Sequence, residues 1–404
     1  MATISAMMPY KIAILSYHPM PYHAAFYRAV GADPRLDATV LFLDRYGIDA
    51  VFDPEFSTEV KWDLSLTDGY RHKFLKNISP SPTTPIVMRI NPGLFSEILG
   101  GDYDAVLVTG YDTLSAQLAI WTTKLGGKKL LLRAEADLHN PSTPMRQRIK
   151  RLLLGPLLAR CDAVLYSCQN NHAYFRHFGV DEKKTFPILS SVDIAGLRQT
   201  RDSDPERGAR LRSECNIPPD AIIFLFCGRL IPRKRPQDLL AAFTHVTRAQ
   251  PKAWLVIVGD GPLRDGLEKD ARAQGLHNVL FSGFKNLSQI SAYYQMADVF
   301  VISSEYDPTP KALNEAMTFA LPAIVSTGIG TAHDLLIDNE NGLVYETGDT
   351  AAFAASMLRL SLDRDLRQRM GDAAAKTVDA WSPQANVDGL VAALDFCFAG
   401  EGGS

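Results

Sequence analysis

The chain has 404 residues, more than one ordinary hydrophobic core organises, so two domains are expected. A composition of 46% hydrophobic and 22% charged residues is globular, and a net charge of −3 argues against a general nucleic-acid binder. Cys161, Cys168, Cys215, Cys227 and Cys397 have no CxxC spacing and apolar neighbours, which fits reduced, buried thiols in a cytoplasmic protein.

The opening MATISAMMPYK lacks a long apolar run behind a basic region, so no secretory signal is expected. No stretch reaches the ~20 apolar residues that span a bilayer. Short runs rich in Val, Ile and Leu follow: KIAILSY (11–17), ATVLFLD (38–44), DAVLVTG (104–110), KLLLRAE (129–135) and DAVLYS (162–167). Most precede segments with helical spacing, such as HAAFYRAV. Continuous apolar runs alternating with helices predict parallel strands covered on both faces. The polar stretch 190–220 interrupts the series and predicts a linker with a peripheral helix. A second series then runs AIIFLFCG (221–228), AWLVIVGDG (253–261), NVLFSG (278–283), DVFVISS (298–304), PAIVST (322–327) and GLVYE (342–346).

The expected fold class is therefore α/β, with two doubly wound, Rossmann-like domains facing a cleft. The domains are placed at 1–194 and 195–382. The apolar helical segment SPQANVDGLVAALDFCFA is expected to cross back, giving 383–404 to the first domain. In such sheets ligands bind beyond the carboxyl ends of the strands.

Two stretches carry candidate chemistry. In CGRLIPRKRPQDLL (227–240), a strand ends at Cys227, Gly228 permits a tight turn, and Arg229 and Lys234 follow. A cationic loop at a strand's carboxyl end suits a phosphate, which Arg grips in a fork and Lys meets as a point charge. A solvated basic loop explains it equally well. In SSEYDPTPKALNEAM (303–317), Asp307 lies in a turn and Glu315 lies in the helix after it. Pro310 fits the first helical position with Thr309 as N-cap, and Leu313, Ala316, Met317 and Ala320 form one apolar face. Glu315 can accept two hydrogen bonds from a vicinal diol such as a ribose. Asp-Pro is also a common turn starter, and Glu315 could simply pair with Lys311.

Arg229 with Lys234 five residues on, then VGDGPLRDGLE, FSGFKNLSQISAYYQMADVFVISS, an acid-x7-acid motif and EAMTFALPAIVST, occur in that order across 221–382. This set resembles the retaining, nucleotide-sugar-dependent glycosyltransferases of the GT-B fold, family four. The first half resembles the family more loosely. The resemblance implies that Arg229 and Lys234 hold the donor diphosphate and that Glu315 holds the ribose. It implies that Asp307, with the amides of Thr309 and Lys311, holds the donor sugar. It places the backbone of Phe284 and Lys285 against the base, with Gly228 completing the donor set. Asp307 replaces the usual Glu, and Pro310 replaces a glycine and has no N–H to give. SYHPMPYH replaces a glycine-rich loop, which points to Tyr22 and His23 for the acceptor, with the donor as the alternative. Tyr111 and Asp112 are further acceptor candidates, and Glu135 stands where relatives carry a histidine near the reacting sugar. The catalytic group is thus Arg229, Lys234, Asp307 and Glu135.

The implied reaction is sugar transfer with retention to a glycan, lipid-linked or small-molecule hydroxyl. Neither metal nor other cofactor is expected, and the UDP- or GDP-linked donor is a substrate. DSD (202–204) and DRD (363–365) mimic a metal-binding DxD but fall in the linker and in a surface helix. Competing readings are a nucleotide-sugar epimerase on the same scaffold, a non-catalytic nucleotide-sugar-binding partner, and a dehydrogenase, for which GIGTAH (328–333) is only a partial fingerprint. The basic, leucine-rich TPMRQRIKRLLLGPLLAR (143–160) allows peripheral contact with the inner face of a membrane. A first-domain helix with leucines inward is favoured, interrupted at Gly155 and Pro156.

Overall fold

A computed structural model describes residues 8–48, 51–53, 58–60, 62–79, 89–138 and 144–399; residues 51–53, 58–60, 144–149, 151 and 153 are described by backbone only. The chain divides into two compact units. The first comprises Met1–Asp49, Ser65–Ser190 and Pro383–Ser404, and the second comprises Ala50–Leu64 and Ser191–Ser382. The boundary thus falls at 190/191 rather than 194/195. That Ala50–Leu64 groups with the second unit was not expected from the sequence.

In the first unit, β1 (Tyr10–Ser16), β2 (Leu36–Phe42), β5 (His72–Phe74), β6 (Ala105–Thr109), β7 (Lys129–Arg133), β8 (Ala163–Tyr166) and β9 (Thr185–Pro187) form a parallel sheet. Among the described residues its order is β5-β2-β1-β6-β7-β8-β9. The continuous apolar runs reflect burial on both faces. Ile12 and Ile14 point into a core with Val387 and Leu390, whereas Ala13 and Leu15 pack on the opposite face with Leu94 and Ile120. The helix Pro383–Phe398 closes the first of these faces. Asn386 acts there as a surrogate strand residue, accepting from the Leu189 amide (2.7 Å) and donating to its carbonyl (2.8 Å).

The helix Pro144–Ala159 runs through Gly155 and Pro156, contrary to the expected interruption. Proline sacrifices one helical hydrogen bond, and that loss falls opposite the exposed Leu152. Leu154, Leu157 and Leu158 are buried as expected.

In the second unit, β10 (Ile222–Cys227), β11 (Ala253–Val258), β12 (Val279–Gly283), β13 (Val299–Ile302), β14 (Ala323–Ser326) and β15 (Gly342–Tyr345) form a parallel sheet. Its order among the described residues is β12-β11-β10-β13-β14-β15. A short antiparallel hairpin, β3 (Val51–Asp53) and β4 (Thr58–Val60), belongs to the same unit. The stretch expected to be a linker with one peripheral helix forms two helices, Ile194–Ser203 and Arg207–Glu214. Arg212 fixes them to the sheet by bonding the Met296 carbonyl (2.8 Å) and the Asp298 carboxylate (2.9 Å).

Each sheet reverses its winding once. In the first unit this happens between β1 and β6, and in the second between β10 and β13. Connections leave in opposite directions at such a point and open a crevice at the carboxyl ends of the strands.

Candidate functional site

Lys234 and Asp307 meet at the switch point of the second unit. Lys234 ends a 3₁₀ turn, Pro232–Lys234, after β10, and Asp307 lies in the loop after β13. Their side chains form an ion pair and are only 14% and 11% exposed. Backbone contacts zip the two loops together. Ser303 donates its hydroxyl to the Lys234 carbonyl (2.8 Å), with the Arg235 carbonyl at 3.0 Å, and the Glu305 amide donates to the Arg233 carbonyl (2.8 Å). Arg235 adopts left-handed backbone (φ 47°) to start the helix Pro236–Ala249. Arg229, half-buried, stands at the same edge directly after β10.

A second latch holds the acid. The Asp307 amide donates to the Gly328 carbonyl (3.0 Å), and the Gly330 amide donates to the Asp307 carbonyl (2.9 Å). A Cβ on Gly330 would lie 2.6 Å from the Pro308 carbonyl oxygen, so the loops close only with glycine there. GIGTAH is therefore a brace for the Asp307 turn and not a dinucleotide loop. The tight-turn role expected of Gly228 falls to Gly259. A Cβ on Gly228 meets only the Phe226 ring at 3.6 Å, whereas Gly259 (φ 133°) would clash with the Gly228 carbonyl at 1.9 Å.

The helix after Asp307 spans Lys311–Thr318, with Pro310 as its N-cap residue. Pro310 was expected one step further in, with Thr309 as cap; its backbone is extended (ψ 109°), so it precedes the helix. Leu313, Ala316 and Met317 are fully buried as the spacing predicts, whereas Ala320 lies beyond the helix in left-handed backbone (φ 57°). Thr309 and Lys311 are half-buried at the helix start, where a helix presents amides without intrahelical partners.

Glu315 is buried at 5% exposure and accepts a hydrogen bond from the Tyr294 hydroxyl (2.6 Å). Burial raises its pKa above the ordinary carboxylate value, opposed by that hydrogen bond and by the Lys311 charge. Burial also pushes the neighbouring Cys227 thiol up to about 12, with the Glu315 charge adding to the effect. Tyr294 was not anticipated. Helical periodicity assigns it to the core, where its ring indeed stacks on Phe319 at 5.4 Å, and only its hydroxyl marks it as more than packing.

Phe284 and Lys285 follow β12, after Gly283. Lys285 lies over the Tyr293 ring at 5.8 Å. Asn286 then caps the helix Leu287–Met296, which carries Tyr294. One helix thus joins the Phe284 loop to the Glu315 carboxylate.

The first unit has its own cluster at its switch point. Tyr17, just after β1, donates its hydroxyl to Asp112, just after β6. Burial and then this bond raise the Tyr17 pKa, so the phenol stays a donor. Tyr111 and Tyr174 are joined hydroxyl to hydroxyl at 2.8 Å. Tyr22 and His23 lie in the first turn of the helix Pro21–Ala32 and are half-buried; the His23 ring meets Tyr27 edge-on at 6.0 Å. Glu135 follows β7 and pairs with Arg133 at 3.0 Å. Tyr17 and Tyr174 were missed, because nothing in the sequence links them to Asp112 and Tyr111.

The DxD look-alikes have structural partners. Asp202 and Asp204 pair with Arg201 and Arg210, and Asp363 caps the helix Arg364–Val378 by accepting from the Leu366 amide (2.8 Å). No cluster of three potential ligands occurs among the described residues, nor any helix long and apolar enough to cross a membrane.

Two doubly wound α/β units of this kind are the fold class of the GT-B glycosyltransferases, and comparison with known proteins agrees on that fold. Residues 209–377 match the family described as "Glycosyl transferases group 1". That match lies within the second unit, where the motif resemblance also lies. The chain is 32% identical over 179 residues to alpha-D-kanosaminyltransferase of Streptomyces kanamyceticus, covering 44% of this chain and 46% of that protein. It is 30% identical over 185 residues to the lipopolysaccharide core biosynthesis glycosyltransferase LpsE of Rhizobium meliloti, covering 45% and 52%. The matches therefore span about half the length of these curated relatives. Among solved structures, HepE of Anabaena in complex with UDP and glucose superposes with a TM-score of 0.70 at 17% identity, covering 96% of this chain and 99% of that one.

Proposed function

We propose that this chain is a retaining, metal-independent hexosyltransferase that moves a sugar from a UDP- or GDP-linked donor to an acceptor hydroxyl on a glycan, lipid-linked or small-molecule substrate. The observation that carries the reading is the Lys234–Asp307 ion pair at the switch point of the group 1 domain. A cation waits there beside a carboxylate that a sugar hydroxyl can engage. The UDP and glucose bound by HepE, a neighbour of the same fold, support this choice of ligand.

In this mechanism Arg229 and Lys234 meet the diphosphate, and Lys234 exchanges Asp307 for phosphate oxygens. The freed Asp307 accepts from sugar hydroxyls, with the amides of Thr309 and Lys311 beside it. Glu315 keeps one oxygen on Tyr294 and offers the other to the ribose. As the anomeric C–O bond breaks, its electron pair goes to the diphosphate, whose growing charge the two cations stabilise. The acceptor oxygen bonds the same face of the anomeric carbon and passes its proton to the departing phosphate oxygen. Tyr22, His23, Tyr111, Asp112 and Glu135 are assigned to the acceptor side. The five free cysteines suit a reducing cytoplasm.

The test is incubation of the purified chain with a panel of UDP- and GDP-sugars and hydroxyl acceptors, reading nucleoside diphosphate release and product anomer by NMR. Release with a retained anomer is the expected result. Acceptor-independent change of the sugar, or binding with no turnover on any donor, would overturn it.

A further inference from the structure

The segment Ala50–Leu64 is remote in sequence from the group 1 domain but folds with the second unit. Its end is pinned at the start of the helix Leu287–Met296. The Asp63 amide donates to the Asn286 side-chain oxygen (3.3 Å). The Ser288 amide donates to both Asp63 carboxylate oxygens (3.3 Å each), and the Ser288 hydroxyl bonds one of them. Asn286 itself forms a capping box with Gln289. A carboxylate at a helix N-terminus meets unsatisfied amides and the positive end of the helix dipole, so this anchorage is specific to that position.

The anchor sets Trp62 beside Phe284, with ring centroids 6.2 Å apart and planes inclined at 59°. The two rings are tilted rather than stacked, and Trp62 is only half-buried. Phe284 stands at the carboxyl end of β12, and β12 lies two strand spacings, about 10 Å along the edge, from β10, which Arg229 and Lys234 follow. That length suits an extended nucleoside diphosphate whose phosphates sit at Lys234. The helix that begins behind Phe284 also carries Tyr294, the partner of Glu315. An aromatic face pinned at one end of such an edge, with cations at the other, is a stacking platform for a base.

We propose that Trp62 forms a wall of the donor's nucleobase site and helps to set affinity for the nucleotide, with Asp63 as its positioning residue. This rests on the reading that the second unit binds a nucleoside diphosphate. The experiment compares UDP, GDP and inorganic pyrophosphate by titration calorimetry on the full chain, with wild type, Trp62→Ala, Trp62→Phe and Asp63→Ala. Stacking predicts that Trp62→Ala weakens the better-bound nucleotide about tenfold or more, and leaves pyrophosphate binding unchanged. Trp62→Phe restores most of the loss, and Asp63→Ala reproduces part of it. Nucleotide should also quench tryptophan fluorescence in wild type and quench it less in Trp62→Phe. Unchanged nucleotide affinity in Trp62→Ala, or equal losses for nucleotide and pyrophosphate, would overturn the assignment. Absence of nucleotide binding in wild type would instead sink the donor-site reading on which it stands.

Discussion

The two units solve the same topological problem with different chemistry. Both sheets reverse direction once, and in both an aspartate after the strand beyond the reversal is bonded by a side chain from the loop after the central strand. In the second unit that partner is the Lys234 ammonium, and in the first it is the Tyr17 hydroxyl. The difference bears on what each can bind. A buried cation–carboxylate pair pays for desolvation only while both charges are matched, so an incoming anion can take the cation and release the acid. A neutral hydroxyl on a carboxylate has no charge to offer an anion. It suits a ligand that also presents hydroxyls. On the proposed reading, the second unit therefore suits a charged donor and the first an uncharged, polyhydroxylated acceptor.

The sharpest way to break this contrast is to remove the charge. Replacing Lys234 or Arg229 by alanine should lower kcat at least ~10²-fold, because in the proposed mechanism each stabilises charge that grows only as the diphosphate leaves. Lys234→Ala additionally strands the buried Asp307, so its melting temperature should fall more than that of Arg229→Ala. Near-normal turnover in either variant would remove the leaving-group assignment. Next in size is Glu315→Gln, expected to weaken UDP or GDP binding roughly tenfold by loss of charge-assisted hydrogen bonds to the ribose. Because burial raises the Glu315 pKa above 4.5, wild-type affinity should decline on acidification before that value is reached, and the variant should show no such decline. Parallel pH profiles would contradict the role.

On the first unit, Asp112→Asn should leave nucleoside diphosphate affinity unchanged and raise the acceptor KM several-fold. Calorimetry with UDP or GDP and initial rates at varied acceptor separate the two. A matched loss of donor binding would erase the division of labour between the units.

Much of this architecture was legible because parallel strands buried on both faces leave continuous apolar runs, from KIAILSY to GLVYE. β3, β4, β5 and β9 were missed because each has three residues, too few for any periodicity to register. The helix containing Glu315 was legible from Leu313, Ala316 and Met317, but its start was misplaced by one residue because Pro310 suits either side of the boundary. The ordered motifs of 221–382 pointed to Lys234, Asp307 and Glu315 individually. That Lys234 and Asp307 bond each other, that Tyr294 serves Glu315 and that Tyr17 serves Asp112 depends on strand order. Strand order is a tertiary property with no local signature. The anchoring of Trp62 to a helix more than two hundred residues away is hidden for the same reason.

The smallest effect concerns stability, and its sign separates function from packing. A group whose folded pKa is raised favours folding below its unfolded value and loses that contribution as pH rises through the folded one. Glu315 is such a group. At neutral pH its charged form is held in a buried site that penalises it, with Tyr294 and Lys311 compensating in part. Glu315→Gln, which keeps the shape and an acceptor for Tyr294, should therefore raise the melting temperature of the ligand-free protein by a few degrees at pH 7 to 8. The gain should shrink as the pH falls below the raised value, where wild type is neutral too. Thermal melts across that range measure it. A loss of stability at neutral pH would mean that the carboxylate is kept for the fold, whereas a gain, set beside weakened nucleotide binding, means that it is kept for the ligand.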